Sequence, residues 1–358
     1  MAPSNLNPNL SGHASKRRQV GTDELVEGLR AGDRVLLSKA ITLIESTRGS
    51  DRSQAREVIQ RCLPGIGESV RVGVTGVPGV GKSSFIETLG VRLADDGHRL
   101  AVLAIDPSSE RTRGSILGDK TRMGTLAQHE NVYIRPSPTS GSLGGVARKT
   151  RETILLCEAA GYDTIFVETV GVGQSEITVH SMVDVFLLLG ITGAGDELQG
   201  IKRGVVEIAD LIAINKADGD NVTAAERAKR QYENALHLFP PSDSGWTPPV
   251  LTCSAETGSG ISEVWDAVTA YCDDTKASGY FSAQRRRQAR YWMHQTIEQR
   301  LLDEFFDHPA VRERLNATEA DVLEGNLSSF AAADRLLDAY REASHKAASA
   351  ENGSPSDP

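Results

Sequence analysis

A glycine-rich segment at residues 76–84 has the residue types needed to hold phosphate groups. It reads GVPGVGKSS and matches G-x-x-x-x-G-K-[ST] between a β-branched run and an amphipathic helical pattern. Glycines let backbone N–H groups approach phosphate oxygens, and the start of a helix adds a positive dipole end. We expect Lys82 to reach the β- and γ-phosphates and Ser83 to bind Mg²⁺. The predicted phosphate contacts are Gly76, Val77, Pro78, Gly79, Val80, Gly81, Lys82, Ser83 and Ser84.

A second motif, NKAD at residues 215–218, follows the predicted strand DLIAI. The Asp218 carboxylate can accept from both the ring N1–H and the exocyclic amine of guanine, whereas adenine has no such donor pair. Asn215 can brace the loop, and Lys216 can lie along the base. Ser254 and Ala255 follow another strand, where a backbone N–H could meet the guanine O6. The pattern predicts a site for GTP or GDP.

Acidic residues near other strand ends are candidates for Mg²⁺ binding and hydrolysis. Glu168 ends the strand TIFVE, and Asp106 and Asp119 lie in AIDPSS and ILGDKTR. Asp106 and Asp119 could instead be helix-cap or turn residues. The segment ETVG has the form of a switch in which the Gly171 N–H meets the γ-phosphate. The predicted catalytic residues are Lys82, Asp106, Asp119 and Glu168, and the predicted metal ligands are Ser83, Asp106, Asp119 and Glu168.

Hydrolysis has weaker sequence support than binding. Val172 stands where many small GTPases have a water-orienting Gln, so slow intrinsic turnover is expected, with Gln174 as a nearby substitute. A nucleotide-dependent scaffold that barely hydrolyses therefore stays open as an alternative. Cations that could stabilise the transition state from loops, or simply be solvated, are Arg111, Arg113, Lys202 and Arg203.

Short β-branched runs alternate with helical stretches through the middle of the chain. Runs such as DVFLLLG are apolar almost throughout, as expected for strands covered by helices on both faces. The pattern predicts an α/β fold with a doubly wound, mostly parallel sheet. The predicted strands span residues 71–76, 100–105, 132–135, 164–169, 184–190, 210–215 and 249–253.

Composition divides the rest of the chain. Residues 1–20 and 343–358 are polar and are expected to be disordered tails. Residues 21–66 form a predicted helical extension in which Asp33 and Asp51 can each cap a helix. The nucleotide domain is expected at 67–275, and a C-terminal helical extension at 276–342 carries an apolar stripe. The stripe comprises Trp292, Ile297, Leu301, Leu302 and Phe305.

Charge and cysteine usage exclude several classes of partner. The chain has 39 Lys and Arg against 48 Asp and Glu, a formal net charge of -9, which disfavours nucleic acid and anionic membranes. Four scattered cysteines form no CxxC pair, so we expect reduced thiols. The N-terminus has no apolar h-region, and no run of 18 apolar residues follows. These features predict a cytoplasmic protein.

The combined motifs resemble the ArgK/MeaB family of GTPases over residues 22–340. The most specific are GVPGVGKSSFIE, AIDPSS, GSILGDKTRM, ETVGVGQSE, GAGDELQGIKRG and NKAD. The resemblance implies a SIMIBI-type P-loop NTPase core that chaperones adenosylcobalamin-dependent methylmalonyl-CoA mutase, or a related acyl-CoA mutase. In this role GTP hydrolysis gates cofactor loading and protects the mutase. It also implies a homodimer built by the C-terminal extension.

By the same resemblance, residues 193–204 are a third switch in which Asp196 and Lys202 link the nucleotide to the mutase. The implied nucleotide and metal contacts agree with those chosen from the residues. One departure is local: Glu110, Arg111, Thr112 and Arg113 replace a small, glycine-rich stretch that relatives often have in the first switch.

Two further functions compete with the mutase chaperone. A kinase of amino-acid transport binding proteins, a label attached to some relatives, has no separate catalytic base here and no export signal to meet such a substrate. A nickel-inserting metallochaperone would need His-rich tracts or paired cysteines, and the eight histidines here are scattered.

Overall fold

The structure is a computed structural model that describes residues 20–46, 48–64, 66–105, 123–136, 143–169, 175–192 and 203–351. The chain divides into two compact units, Met1–Phe281 and Ser282–Pro358, each of which is described by itself.

The first unit is built on a parallel sheet with the order β3-β2-β4-β1-β5-β6-β7. Nearly every strand residue is buried, because helices cover both faces, and the predicted doubly wound sheet is confirmed. The strands are β1 (Val70–Gly76), β2 (Leu100–Ile105), β3 (Val132–Arg135), β4 (Thr164–Thr169), β5 (Val185–Gly190), β6 (Leu211–Ile214) and β7 (Val250–Thr252).

Three helices precede the sheet: α1 (Thr22–Arg30), α2 (Arg34–Glu45) and α3 (Gly49–Cys62). Asp33 caps α2 as predicted, since its carboxylate accepts from the N–H groups of Val35 and Leu36 at 2.7 and 3.0 Å. The predicted cap at Asp51 is wrong. Helix α3 begins at Gly49, two residues before Asp51. The Asp51 carboxylate accepts instead from the Ser46 hydroxyl at 2.6 Å.

The remaining helices of this unit lie on the two faces of the sheet. Helices α4 (Lys82–Asp95) and α9 (Ile261–Ala277) contact each other over one face. The other face carries α5 (Leu143–Ala159), α6 (Ser175–His180) and α8 (Val222–Leu236). Helix α6 crosses β1 closely, because a Cβ at Gly73 would lie 2.9 Å from Val179. The short helix α7 (Arg203–Glu207) precedes β6.

The second unit contains most of α10 (Tyr280–Asp307), together with α11 (Pro309–Leu323) and α12 (Ser329–Glu351). The Phe305 ring lies 5.5 Å from the Tyr340 ring, which ties α10 to α12. Helix α12 includes residues 343–351, which composition had placed in a disordered tail; their alanines are strong helix formers. In the apolar stripe, Trp292 is buried, whereas Ile297, Leu301 and Leu302 are exposed.

Among the described residues, none of the helices combines the length and apolar character needed to cross a membrane.

Candidate functional site

The phosphate loop connects the end of β1 to the start of α4, at the carboxyl edge of the sheet where parallel α/β folds bind ligands. Its turns place three glycines, Gly76, Gly79 and Gly81, at positive φ, and two of them are also closely packed. Gly76 has φ 152° and Gly81 has φ 95°, and a Cβ at Gly76 would lie 2.5 Å from the Leu189 carbonyl oxygen. A Cβ at Gly81 would lie 2.7 Å from the Asn215 amide nitrogen. The glycines therefore allow neighbouring strands to approach the loop.

Lys82 is the first residue of α4 and is only 8% exposed. Its ammonium group donates to the carbonyl oxygens of Gly76 at 2.8 Å and Val77 at 3.3 Å. Burial lowers the pKa of Lys82, and the negative charges of Glu168 and Glu176 oppose that effect. Lys82 thus lies against its own loop, where a short movement can bring its charge to a phosphate.

Ser83 and Glu168 supply paired oxygen atoms beside Lys82. The Ser83 hydroxyl donates to Glu168 Oε1 at 2.9 Å, and Glu168 is buried at the end of β4. A hydroxyl and a carboxylate suit Mg²⁺, which prefers oxygen ligands and usually keeps phosphate and water in its other positions. The described residues contain no cluster of three acidic, His or Cys side chains for a metal held by protein alone. The residues present therefore fit a magnesium ion shared with a nucleotide.

Asn215 joins the phosphate loop to the NKAD loop. It follows β6, is 1% exposed, and donates from its amide to the Val80 carbonyl oxygen at 2.8 Å. Its amide oxygen accepts from the Ala255 N–H at 3.1 Å. The Thr88 hydroxyl donates to the Ala255 carbonyl oxygen at 2.7 Å, which adds a tie from α4. One buried side chain thereby fixes three segments relative to one another.

Asp218 is held by the loop after β7. The Ser254 hydroxyl donates a short hydrogen bond to Asp218 Oδ2, and the Thr257 N–H donates to the same hydroxyl at 3.1 Å. Lys216, between Asn215 and Asp218, has an exposed side chain and a left-handed backbone with φ 60°. The carboxylate is therefore oriented by a fully buried serine.

The backbone N–H groups of Ser254 and Ala255, one of which was predicted to meet the guanine O6, both have acceptors within the protein. The Ser254 N–H donates to the Ser259 carbonyl oxygen at 2.8 Å, and the Ala255 N–H donates to Asn215. In this arrangement both residues brace the base-side loops. The Ser254 hydroxyl lies against Asp218, but the sequence could not show what the two N–H groups contact.

Sequence reasoning missed Glu176 as a member of the site. It lies in the first turn of α6, is 1% exposed, and adds to the negative field at Lys82. The signal was present, since Glu176 closes the quoted segment ETVGVGQSE. Five predicted site residues lie outside the described residues: Asp106, Asp119, Gly171, Asp196 and Lys202.

A parallel sheet with a glycine-rich loop leading into Lys82 and Ser83 defines a P-loop nucleotide hydrolase. The model of the family described as methylmalonyl Co-A mutase-associated GTPase MeaB matches residues 37–310. The chain therefore belongs to the MeaB family, and it is a GTPase.

Individual relatives and a solved structure are similar to the chain over most of its length. A probable GTPase of Mycobacterium tuberculosis is 52% identical over 320 residues, covering 88% of this chain and 95% of that protein. The mouse protein named methylmalonic aciduria type A homolog, mitochondrial, is 48% identical over 337 residues, covering 91% and 81%. A crystal structure titled LAO/AO transport system kinase is 38% identical with a TM-score of 0.69, covering 89% of this chain and 97% of that one.

Proposed function

We propose that residues 76–84 bind the phosphates of GTP or GDP while Asp218 accepts hydrogen bonds from the guanine. The observation that carries the proposal is the position of Asn215, which braces Val80 of the phosphate loop and Ala255 beside Asp218 with one buried amide. This brace would hold the phosphate and base contacts at a fixed spacing, as a single nucleotide requires. Lys216 would lie along the base, and the Ser254 hydroxyl would keep the Asp218 carboxylate oriented toward the guanine.

Ser83 and Glu168 would hold Mg²⁺ together with the nucleotide, with Asp106 and Asp119 as further oxygen donors. When bound there, the ion would neutralise charge on the β- and γ-phosphates. Lys82 would leave the carbonyl oxygens of its own loop and donate to those phosphates, stabilising charge as the terminal bond breaks. The Gly171 N–H would contact the γ-phosphate.

We further propose that hydrolysis serves an adenosylcobalamin-dependent acyl-CoA mutase, with methylmalonyl-CoA mutase the first candidate. The family description and the name of the mouse relative support this client. Asp196 and Lys202 would carry the nucleotide signal to the mutase. The exposed apolar residues of α10 support a homodimer through residues 276–342. We also propose that the protein is cytoplasmic.

The deciding experiment measures GTP turnover by the purified chain alone and with methylmalonyl-CoA mutase, with Lys82→Ala as the control and ATP as competitor. We expect slow turnover alone, stimulation by the mutase, loss in Lys82→Ala and no competition by ATP. Turnover that the mutase does not change would remove the client while leaving the GTPase. GTP binding without turnover, even with the mutase, would favour a nucleotide-dependent scaffold.

A further inference from the structure

Asn221 occupies the N-cap position of α8 but does not cap that helix. Asparagine is among the preferred N-cap residues because its side chain normally accepts from the first free N–H groups of the helix. Here both ends of the amide are engaged elsewhere. Nδ2 donates to the Lys216 carbonyl oxygen at 2.6 Å, and Oδ1 accepts from the Thr192 hydroxyl at 2.8 Å.

The chemistry of these partners fixes the orientation of the Asn221 amide. A backbone carbonyl oxygen can only accept, so the nitrogen of the amide must face Lys216. The oxygen then faces Thr192, whose hydroxyl can donate to it. If the amide were reversed, its oxygen would face the Lys216 carbonyl oxygen, and neither atom can donate a hydrogen bond. The pair of hydrogen bonds therefore has one satisfied arrangement.

These contacts brace an unfavourable backbone conformation. Within the described ranges, Lys216 is the non-glycine residue with positive φ, at 60°, a region that side chains disfavour. Asn221 holds this turn twice, because its own N–H also donates to the Asp218 carbonyl oxygen at 2.9 Å. Asn221 therefore donates to the carbonyl oxygens at both ends of the segment from Lys216 to Asp218.

Thr192 connects this turn to the central part of the sheet. It lies two residues beyond the end of β5, and the Asn215 N–H donates to the carbonyl oxygen of Gly190, the last residue of β5, at 2.8 Å. The start and the end of the NKAD turn are therefore both tied to the chain that leaves β5.

We propose that Asn221, supported by Thr192, is a positioning residue for guanine recognition that aims the Asp218 carboxylate by holding the Lys216 turn. The inference rests on the proposed role of Asp218 as the group that reads the base. A carboxylate must be aligned to accept from two guanine donors at once, whereas one donor tolerates a shifted carboxylate. Loss of the brace should therefore reduce selectivity for the exocyclic amine more than it reduces nucleotide binding in general.

The test compares the dissociation constants of GDP and IDP, which lacks that amine, by titration calorimetry on the full chain. The variants are Asn221→Ala, Thr192→Val and Thr192→Ser, with Asn234→Ala, an exposed asparagine of α8, as the matched control. We expect the preference for GDP over IDP to fall about fivefold in Asn221→Ala and about twofold in Thr192→Val. Thr192→Ser keeps the hydroxyl and should restore the wild-type ratio.

The outcomes separate this inference from the proposed function. A wild-type chain that binds GDP and IDP equally would remove the role of Asp218, and the positioning role with it. A selective wild-type chain whose preference is unchanged in Asn221→Ala and Thr192→Val would overturn the positioning role alone. Equal losses for both nucleotides would do the same, because they would indicate a general structural defect. If Asn221→Ala fails to fold, Thr192→Val against Thr192→Ser decides the question.

Discussion

The two ends of the same parallel sheet bury polar groups in different ways. At the amino end, Arg71 at the start of β1 donates to both oxygens of Glu158, at 2.8 and 2.9 Å, and its backbone N–H donates to Asp184 at 2.9 Å. At the carboxyl end, the two hydrogen bonds of the Lys82 ammonium go to neutral carbonyl oxygens.

This difference separates structural charges from charges suited to a ligand. The Arg71–Glu158 pair is bidentate and buried, so each charge is matched by a fixed opposite charge. The ammonium group of Lys82 is stabilised by carbonyl dipoles and by the charges of nearby carboxylates. It can therefore exchange these carbonyl oxygens for phosphate oxygens with little rearrangement. We infer that a buried charged group indicates a functional site when its partners are neutral groups that a ligand can replace, and a structural role when its partner is a fixed opposite charge.

Breaking the amino-end pair should give the largest effect, on stability. Glu158→Ala leaves the buried Arg71 charge unpaired and should lower the free energy of unfolding by about 3–5 kcal/mol. The control is Asp307→Ala, which removes an exposed pair with Arg312 and should cost at most about 1 kcal/mol. Urea unfolding measures both, and similar losses in the two variants would contradict the comparison.

Lys82→Ala should lower turnover strongly while leaving the fold intact. Removing one group that stabilises transition-state charge costs about 10²–10³ in turnover. We expect the unfolding midpoint to change little, because both hydrogen bonds of the Lys82 ammonium go to neutral carbonyl oxygens rather than to a buried opposite charge. Turnover assays and urea unfolding on the same preparation test this. Full activity in Lys82→Ala would remove the carboxyl-end site from the mechanism.

Asp218→Asn should change which base is bound. An asparagine amide can donate to the 2-carbonyl of xanthine, whereas it leaves a guanine donor without an acceptor. We expect GTP affinity to fall about tenfold to a hundredfold and XTP affinity to rise, since an unsatisfied group costs about 1–3 kcal/mol. Competition binding with GTP and XTP gives the two constants. Parallel losses for both nucleotides would argue against base reading by Asp218.

The smallest expected effect concerns pH and Asp210, which precedes β6 at the amino end. Loss of surrounding water raises the pKa of Asp210 to about 7, against the hydrogen bonds from the Phe186 N–H and the Tyr271 hydroxyl. A raised carboxyl pKa favours the protonated folded state, so the stability contribution is present at low pH and is lost as pH rises from about 4 to about 7.

Asp210→Asn should remove that pH dependence. We expect wild type to lose about 1 kcal/mol relative to Asp210→Asn between pH 5 and pH 8, a modest value because Asp210 is only partly buried. Urea unfolding of both proteins across this range gives the difference. A difference that stays constant with pH would show that the pKa of Asp210 is not raised in the folded protein.

Sequence reasoning succeeded where the signal is local and repeated. The apolar runs predicted all seven strands to within a residue or two, because a strand buried on both faces must be apolar at successive positions. The Asp33 cap was equally local. Asp51 was misassigned because the Ser46 hydroxyl competed for its carboxylate, and no pattern in the sequence ranks such alternatives.

The sequence by itself determined the class of site, since GVPGVGKSS and NKAD contain the residues predicted to contact the phosphates and the base. Only the tertiary structure decided how those groups are held. The bonds from Asn215 to Val80 and from Thr192 to Asn221 join residues 135 and 29 positions apart. Such partners meet because parallel strands bring distant loops to one edge of a sheet, and that adjacency depends on strand order, which no local motif encodes.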